Sequence, residues 1–290
     1  MQNKNYNARF KFCDIEDKYS SWGRSRVAIL PVSYDLTTSY MPGAASGPKA
    51  VIDASRYMET YDDETEKEIY KLGIYTAREI KPVNPEPEVV IKDVEKQTSS
   101  ILKAGKFPVI LGGEHSITLG PVRAFKKKFK KFSVLQLDAH RDLRDSFQGS
   151  RHSHACIARR IIEISSLTQV GIRSLSRGES GKGYKNLKTF FMKDMIKDAG
   201  WTEKAIDSLD ADKVYVTIDM DVFDPSIMPS VGTPEPGGMG WYEVLGLLKK
   251  LTRKKDVIGF DVVELSPMPG NVSPDFLAAK LIYKFLNYIF

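Results

Sequence analysis

Cysteine is nearly absent from this chain of 290 residues: Cys13 and Cys156 stand far apart and exclude a disulfide framework. A reducing compartment, the cytoplasm, is the expectation. No stretch approaches the roughly 18 apolar residues that a membrane span needs. The opening MQNKNYNARFKFCDIEDKYSSW also lacks the apolar centre of a secretory signal. Low-complexity linkers, internal repeats and shifts of composition are missing too. One domain over residues 1–290 is therefore expected, with residues 1–22 as a polar N-terminal extension. Histidine is scarce, and all four lie between residues 115 and 154.

Acidic charge falls short of basic charge, leaving a formal +6. The excess gathers in FKKKFKKF (125–132) and KKLTRKK (249–255), each just ahead of an apolar run. Those are the places where helices should end, and cations there complement the helix dipole. No nucleic-acid reader motif accompanies them. Neither a nucleic acid nor a membrane is an expected partner.

What is present is a regular alternation. Apolar runs at 26–32, 107–111, 132–137, 168–172, 214–218 and 257–263 have the length and residue mix of buried strands. Amphipathic stretches at 88–104, 119–129, 154–164, 202–209 and 242–251 have helical length. Alternation of this kind predicts an α/β fold of three layers, α/β/α, with a central and mainly parallel sheet.

Polar chemistry follows four of the runs. After 107–111 comes GGEHS, after 132–137 comes DAHRD, after 214–218 comes DMDVFDP, and 257–263 runs into ELSP. Open α/β sheets place their sites at the carboxyl ends of strands. The set Asp138, Asp142, Asp219, Asp221, His115 and His140 exceeds the needs of one ion and matches two divalent ions that share carboxylates. Oxygen-rich ligation with one imidazole per ion and no thiolate favours Mn²⁺ over structural zinc. In an extended DAHRD, residues 138, 140 and 142 would point to one side and meet the same pair. Taken singly, each acid also suits a helix cap or a pair with Arg141, Arg144 or Arg151. Two acidic runs at the ends of two buried strands do not reduce to that.

A metal pair about 3.5–4 Å apart turns water into a hydroxide nucleophile near neutral pH. A proton donor for the leaving group must come from the chain, and SRHSHACIARR offers His152 and His154. Cys156 beside them suits an inert buried thiol.

GGEHS, LDAHRD, SHACIARR, TIDMDVFDPSIMPSVGTPEPGG and DVVELSP, in that order, resemble the ureohydrolase family of arginases and agmatinases. LPVSYDLTTSYMPGAASGPKAVIDAS resembles that family's opening strand and Gly-Pro helix start, and GTPEPGG (232–238) is similar to its agmatinase branch. The resemblance implies an arginase/deacetylase-like fold and two Mn²⁺ ions. One would take His115, Asp138, Asp142 and Asp219; the other His140, Asp138, Asp219 and Asp221, with Asp138 and Asp219 bridging. It further implies Glu264 against the substrate guanidinium, Thr233 helping to orient it, and His154, ahead of His152, as the proton shuttle. A homo-oligomer, trimer or hexamer, is implied as well.

Departures from the family pattern are expected around the pocket rim or at subunit contacts. Glu114 precedes the first histidine where the family usually has Asp, and Arg141 fills a position often held by a small hydroxyl residue. Ala45 and Asp53 stand where arginines are frequent, and SHACIARR replaces a small-Gly-Thr run. No ligand position is lost, so the substrate's tail is what these changes leave open. Agmatine, giving urea and putrescine, is the first expectation. N1-aminopropylagmatine, giving urea and spermidine, follows, then guanidinobutyrate and arginine. Asp145 is expected either to attract a cationic tail or to pair with Arg144 or Arg151. A dinuclear phosphoesterase would need more imidazoles and a basic phosphate pocket, and a non-catalytic scaffold would have lost ligands.

Overall fold

The computed structural model describes residues 10–83, 86–181 and 183–290. Its strands are β1 (Val27–Pro31), β2 (Ile74–Thr76), β3 (Phe107–Leu111), β4 (Ser133–Leu137), β5 (Ser166–Ile172), β6 (Leu187–Phe191), β7 (Lys213–Asp219) and β8 (Asp256–Val263). They form one sheet in the order β2-β1-β3-β8-β7-β4-β5-β6, with every neighbouring pair parallel. The helices are α1 (Asp17–Ser20), α2 (Gly47–Ser55), α3 (Pro87–Lys103), α4 (Leu119–Lys128), α5 (Ile157–Ile161), α6 (Met192–Met195), α7 (Trp201–Asp207), α8 (Trp241–Lys254) and α9 (Ser273–Ile289). This is the expected three-layer arrangement. Among the described residues no helix is long and apolar enough to cross a membrane.

The six strands expected from apolar runs are all present. The two that were not expected, β2 and β6, are the two edges of the sheet. Each is half-exposed, β2 over three residues and β6 over five, so neither carries a continuous apolar run. Helix α9 also escaped the amphipathic pattern, because it is buried over most of its circumference, from Ala278 and Ala279 to Phe285 and Leu286. The helix expected at 154–164 is shorter: a 3-10 turn over His154–Cys156 leads into α5. The lysine runs do end helices, with Lys126, Lys127 and Lys128 in the last turn of α4 and Arg253 and Lys254 in that of α8.

Residues 10–22 correct the expected polar extension; residues 1–9 lie outside the described residues. Phe12 is fully buried, and Cys13 and Ile15 join it in the core that packs against α2 and α9. The Cys13 amide donates to Ser55 Oγ at 2.8 Å, which ties this segment to the end of α2. Apolar residues scattered among lysines, acids and serines form no run that would announce burial.

Register decides where the site forms. Leu111 of β3 stands beside Val262 of β8, Val262 beside Ile218 of β7, and Ile218 beside Leu137 of β4. Four neighbouring strands therefore end level. The chain leaves β3 through Gly113, where an added Cβ would meet the Tyr34 carbonyl oxygen at 1.9 Å. Only glycine permits that approach, which lets the following amide, Glu114 N–H, donate to the same oxygen at 2.8 Å.

Truncating the fully buried Phe12 to alanine should cost about 3–5 kcal/mol, the range for a large aromatic removed from a packed core. Urea denaturation checks this. A loss within experimental error of zero would return residues 10–15 to the status of a surface extension.

Candidate metal centre and catalytic cavity

Each acid and imidazole of the candidate site sits at or just beyond the end of β3, β4, β7 or β8. Asp138 follows Leu137 and Asp219 closes β7, so the level strand ends put these two carboxylates side by side. Asp221 lies in the 3-10 turn Met220–Val222 that Asp219 caps, its side chain accepting from the Asp221 amide at 3.0 Å. His115 begins the turn after Gly112-Gly113. Asp138, Asp142, Asp219, Asp221 and His115 are all buried, and His140 is partly exposed.

Two groups of candidate ligands emerge. His115, Asp138 and Asp219 form one, and Asp138, His140 and Asp221 form the other, with Asp138 common to both. His115 Nδ1 is 3.1 Å from both Asp138 Oδ2 and Asp219 Oδ2 and 3.6 Å from Asp142 Oδ2. His140 Nδ1 is 2.7 Å from Asp221 Oδ2 and 3.8 Å from Asp138 Oδ1. All six residues expected as ligands are thus brought together. The expected route is corrected for Asp142: β4 ends at Leu137, and Asp142 has φ +50, so it arrives by a turn and not by strand alternation.

The donor set fits a pair of divalent cations. His115 Nδ1 is buried and makes no directed hydrogen bond although carboxylate oxygens surround it. Its orientation has a cause. Thr217 on β7 donates its hydroxyl proton to Asp261 Oδ1, so the contact of 2.9 Å between His115 Nε2 and Thr217 Oγ1 needs the proton on Nε2. That makes Nδ1 the nitrogen turned on the carboxylates and the one that ligates a metal once its proton is displaced. Burial lowers the ring's pKa, but Asp138 and Asp219 outweigh it and hold the metal-free imidazole well above its usual value. Burial and the neighbouring Asp221 push Asp138 above the usual carboxylate range; burial with Asp138 does the same for Asp142, and burial with Asp221 for Asp219. Burial pushes Asp221 up as well, but His140 and the Ala139 amide outweigh it and bring the group down to about 2. Four acids against two imidazoles form an excess of negative charge that cations relieve.

A cavity of about 260 Å³ opens in front of this cluster, lined by His140, Asp219, Asp221, Thr233, Glu264 and His154 among others. Glu264 follows β8 with φ +66, and its Oε1 accepts the His115 amide at 2.6 Å. Burial and the nearby Glu114 push it up to about 8. His154 lies beside Phe147, and burial with His115 and His140 pushes it down to about 4. His152 is elsewhere: its Nε2 is 3.0 Å from Glu88, which removes it as a competitor. Burial raises the Cys156 thiol to about 11, as an inert thiol requires.

Asp145 corrects one of its two expectations, the substrate contact, and meets the other, pairing with Arg151. It is exposed, does not line the cavity, and accepts from Arg160 at 2.6 Å, with Arg151 at 3.2 Å. The arginine-rich surface of SHACIARR holds it away from any substrate tail. Arg144 packs over Phe147 instead of pairing with it.

Several supporting residues were not singled out in the sequence. Asp261 sits inside the apolar run of β8, and a lone acid there was the available signal. Arg173, just after β5, donates to the main-chain carbonyls of Asp221 at 2.6 Å, Glu235 at 2.8 Å and Phe223 at 3.2 Å. It clamps the segment that carries Thr233 to the end of β7. Nothing in the residue order announces that contact.

Thr217→Val keeps the shape and strand preference of the side chain but deletes the hydroxyl between His115 and Asp261. Loss of such an orienting partner should weaken metal binding about 10–100-fold. Metal retained after dialysis against graded chelator measures it, and unchanged affinity would refute the orienting role.

The sequence and the described fold have counterparts among known proteins. The model of the Arginase family matches residues 25–287. An N(1)-aminopropylagmatine ureohydrolase of Synechocystis sp. is 42% identical, over 93% of this chain and 90% of its own length. An agmatinase of Pyrococcus horikoshii is 40% identical, over 88% and 89%. The crystal structure of agmatine ureohydrolase of Thermoplasma volcanium superposes with a TM-score of 0.87 at 32% identity, covering 97% of this chain and 94% of that one. The family model, these relatives and the clustered acids and imidazoles lead to one conclusion: the chain belongs to the arginase family and is a ureohydrolase.

Proposed function

We propose that the chain hydrolyses the guanidino group of N1-aminopropylagmatine to urea and spermidine, with agmatine, giving urea and putrescine, as the second reading. This reverses the order expected from sequence alone. Relatives named for the aminopropyl substrate, at 42% identity from Synechocystis and 38% from Thermus thermophilus, support the change. So does the mouth of the cavity, where the lining residues Tyr40 and Met41 are 71% and 51% exposed and leave room for a longer tail. The observation that carries the reading is the opening of the acidic cluster, Glu264 and His154 onto one cavity.

Two Mn²⁺ ions are the proposed cofactors. His115, Asp138, Asp142 and Asp219 would hold one, and His140, Asp138, Asp219 and Asp221 the other. Such a pair, when bound, supplies a water whose pKa falls from about 15.7 toward neutrality. The chain's own groups do the rest. Glu264 receives the planar guanidinium through a charge-assisted pair, and the bound cation favours its ionised form against the burial that raises it. Thr233 helps hold the reacting carbon in place. His154, resting neutral, takes up a proton and delivers it to the departing amine, which leaves only when protonated. A homo-oligomer, trimer or hexamer, belongs to the same proposal and rests on the family resemblance, and a cytoplasmic location rests on the scarcity of cysteine.

Urea release from a panel of guanidino amines with Mn²⁺ is the decisive experiment. The expected order of kcat/KM is N1-aminopropylagmatine, then agmatine, then guanidinobutyrate and arginine. Agmatine ahead would restore the second reading, and no urea from any of them despite bound metal would sink the proposal. Glu264→Gln should raise KM, because the bound cation loses its partner, and lower kcat, because the same pairing holds the guanidinium carbon in line for attack. His154→Ala should keep its metal and lose about 10²–10⁴-fold in kcat; steady-state kinetics beside metal analysis separates the two outcomes.

A further inference from the structure

Thr37 lies in the segment after β1 and does not itself line the cavity. Its hydroxyl donates to Glu114 Oε1 at 2.6 Å and its amide donates to Glu114 Oε2 at 2.6 Å. The same hydroxyl oxygen accepts the His154 amide at 3.1 Å and stands 3.3 Å from His154 Nδ1. Glu114 is fully buried and takes a further hydrogen bond from the Ser116 hydroxyl. It is also the residue that departs from the family's usual aspartate, and its longer side chain spans the gap to Thr37.

A threonine hydroxyl has one proton. Three donors, two of them from Thr37, converge on Glu114, so that proton points at the carboxylate. Toward His154 the Thr37 oxygen offers lone pairs only. An unprotonated Nδ1 would face them as a second lone pair; a protonated Nδ1 donates to them. Ser153 Oγ, also 3.3 Å from Nδ1, suits the same N–H as a second acceptor. The backbone of His154 is fixed by the same oxygen, so ring and main chain are tied to one atom.

We infer that Thr37, anchored by Glu114, is a positioning residue that holds His154 in the tautomer with its proton on Nδ1 and its accepting lone pair on Nε2. The inference rests on the proposed proton-shuttle role of His154. It adds that the buried Glu114 acts on the reaction through Thr37. A ring held this way has Nε2 ready to accept a proton in each cycle. A ring free to exchange tautomers would spend part of its time with Nε2 already protonated.

A double-mutant cycle tests it in the full-length, metal-loaded enzyme with urea as the readout. Thr37→Val should lower kcat about tenfold, part of the 10²–10⁴-fold that a placed proton-transfer group contributes. KM and bound metal should stay unchanged, and Thr37→Ser should restore most of the rate. In a His154→Ala background, Thr37→Val should cause no further loss, since its partner is gone. An equal loss in both backgrounds, a loss of metal, or a rise in KM at constant kcat would overturn the inference. Failure of the underlying reading looks different: His154→Ala itself would then turn over at the normal rate.

Discussion

Everything at the carboxyl edge of the sheet depends on four buried carboxylates that cannot all be comfortable without cations. Burial raises the cost of each charge, and for Asp138, Asp142 and Asp219 a neighbouring carboxylate raises it further. The fold meets that cost with main-chain amides and a glutamine, as when Gln136 donates to Asp138 at 2.6 Å and the Ala139 amide donates to Asp221 at 2.9 Å. These bonds orient the oxygens but do not cancel the charge. The rest of the architecture can be understood as the means of keeping that imbalance in one place: four strands ending level, a glycine exit from β3, and an arginine clamp behind the loop.

Two imidazoles are steered by the same device. Thr217 spends its proton on Asp261 and thereby fixes a proton on His115 Nε2, which turns Nδ1 toward the carboxylates. Thr37 spends its proton on Glu114 and thereby orders His154 the other way round, with the free lone pair on Nε2. In both cases a buried acid decides the direction of a hydroxyl, and the hydroxyl decides which nitrogen of a ring is basic. The acids are therefore as much part of the chemistry as the rings, although neither lines the cavity.

Local pattern in the chain makes much of this legible. The six interior strands, the clustering of acids and histidines after four of them, and the separate fate of the lysine runs all follow from it. The residue order could not say which strands are neighbours. That β3, β8, β7 and β4 lie side by side is a property of crossover connections, and it is what merges four motifs into one site. Edge strands β2 and β6 were invisible because half-exposed segments carry no apolar run, and α9 because burial on most sides leaves no stripe. Asp145 left two expectations open, a substrate role and pairing with arginine, and three arginines contributed by α5 and the preceding loop decide for the second. Supporting contacts such as those of Arg173 and Thr37 join residues tens of positions apart, and no spacing rule encodes them.

Asp142 and Glu264 share one more trait: both hold a left-handed backbone, φ +50 and +66, that a side chain makes unfavourable. Conformations of this kind cost roughly 1–3 kcal/mol each and persist where something else over-determines them. A chain selected only for thermal robustness would drift toward glycine at both positions and shed the chemistry. Glycine there would relieve the backbone and remove a carboxylate each time, which sets a direction for anyone hardening the molecule: improvement has to be sought far from this edge of the sheet.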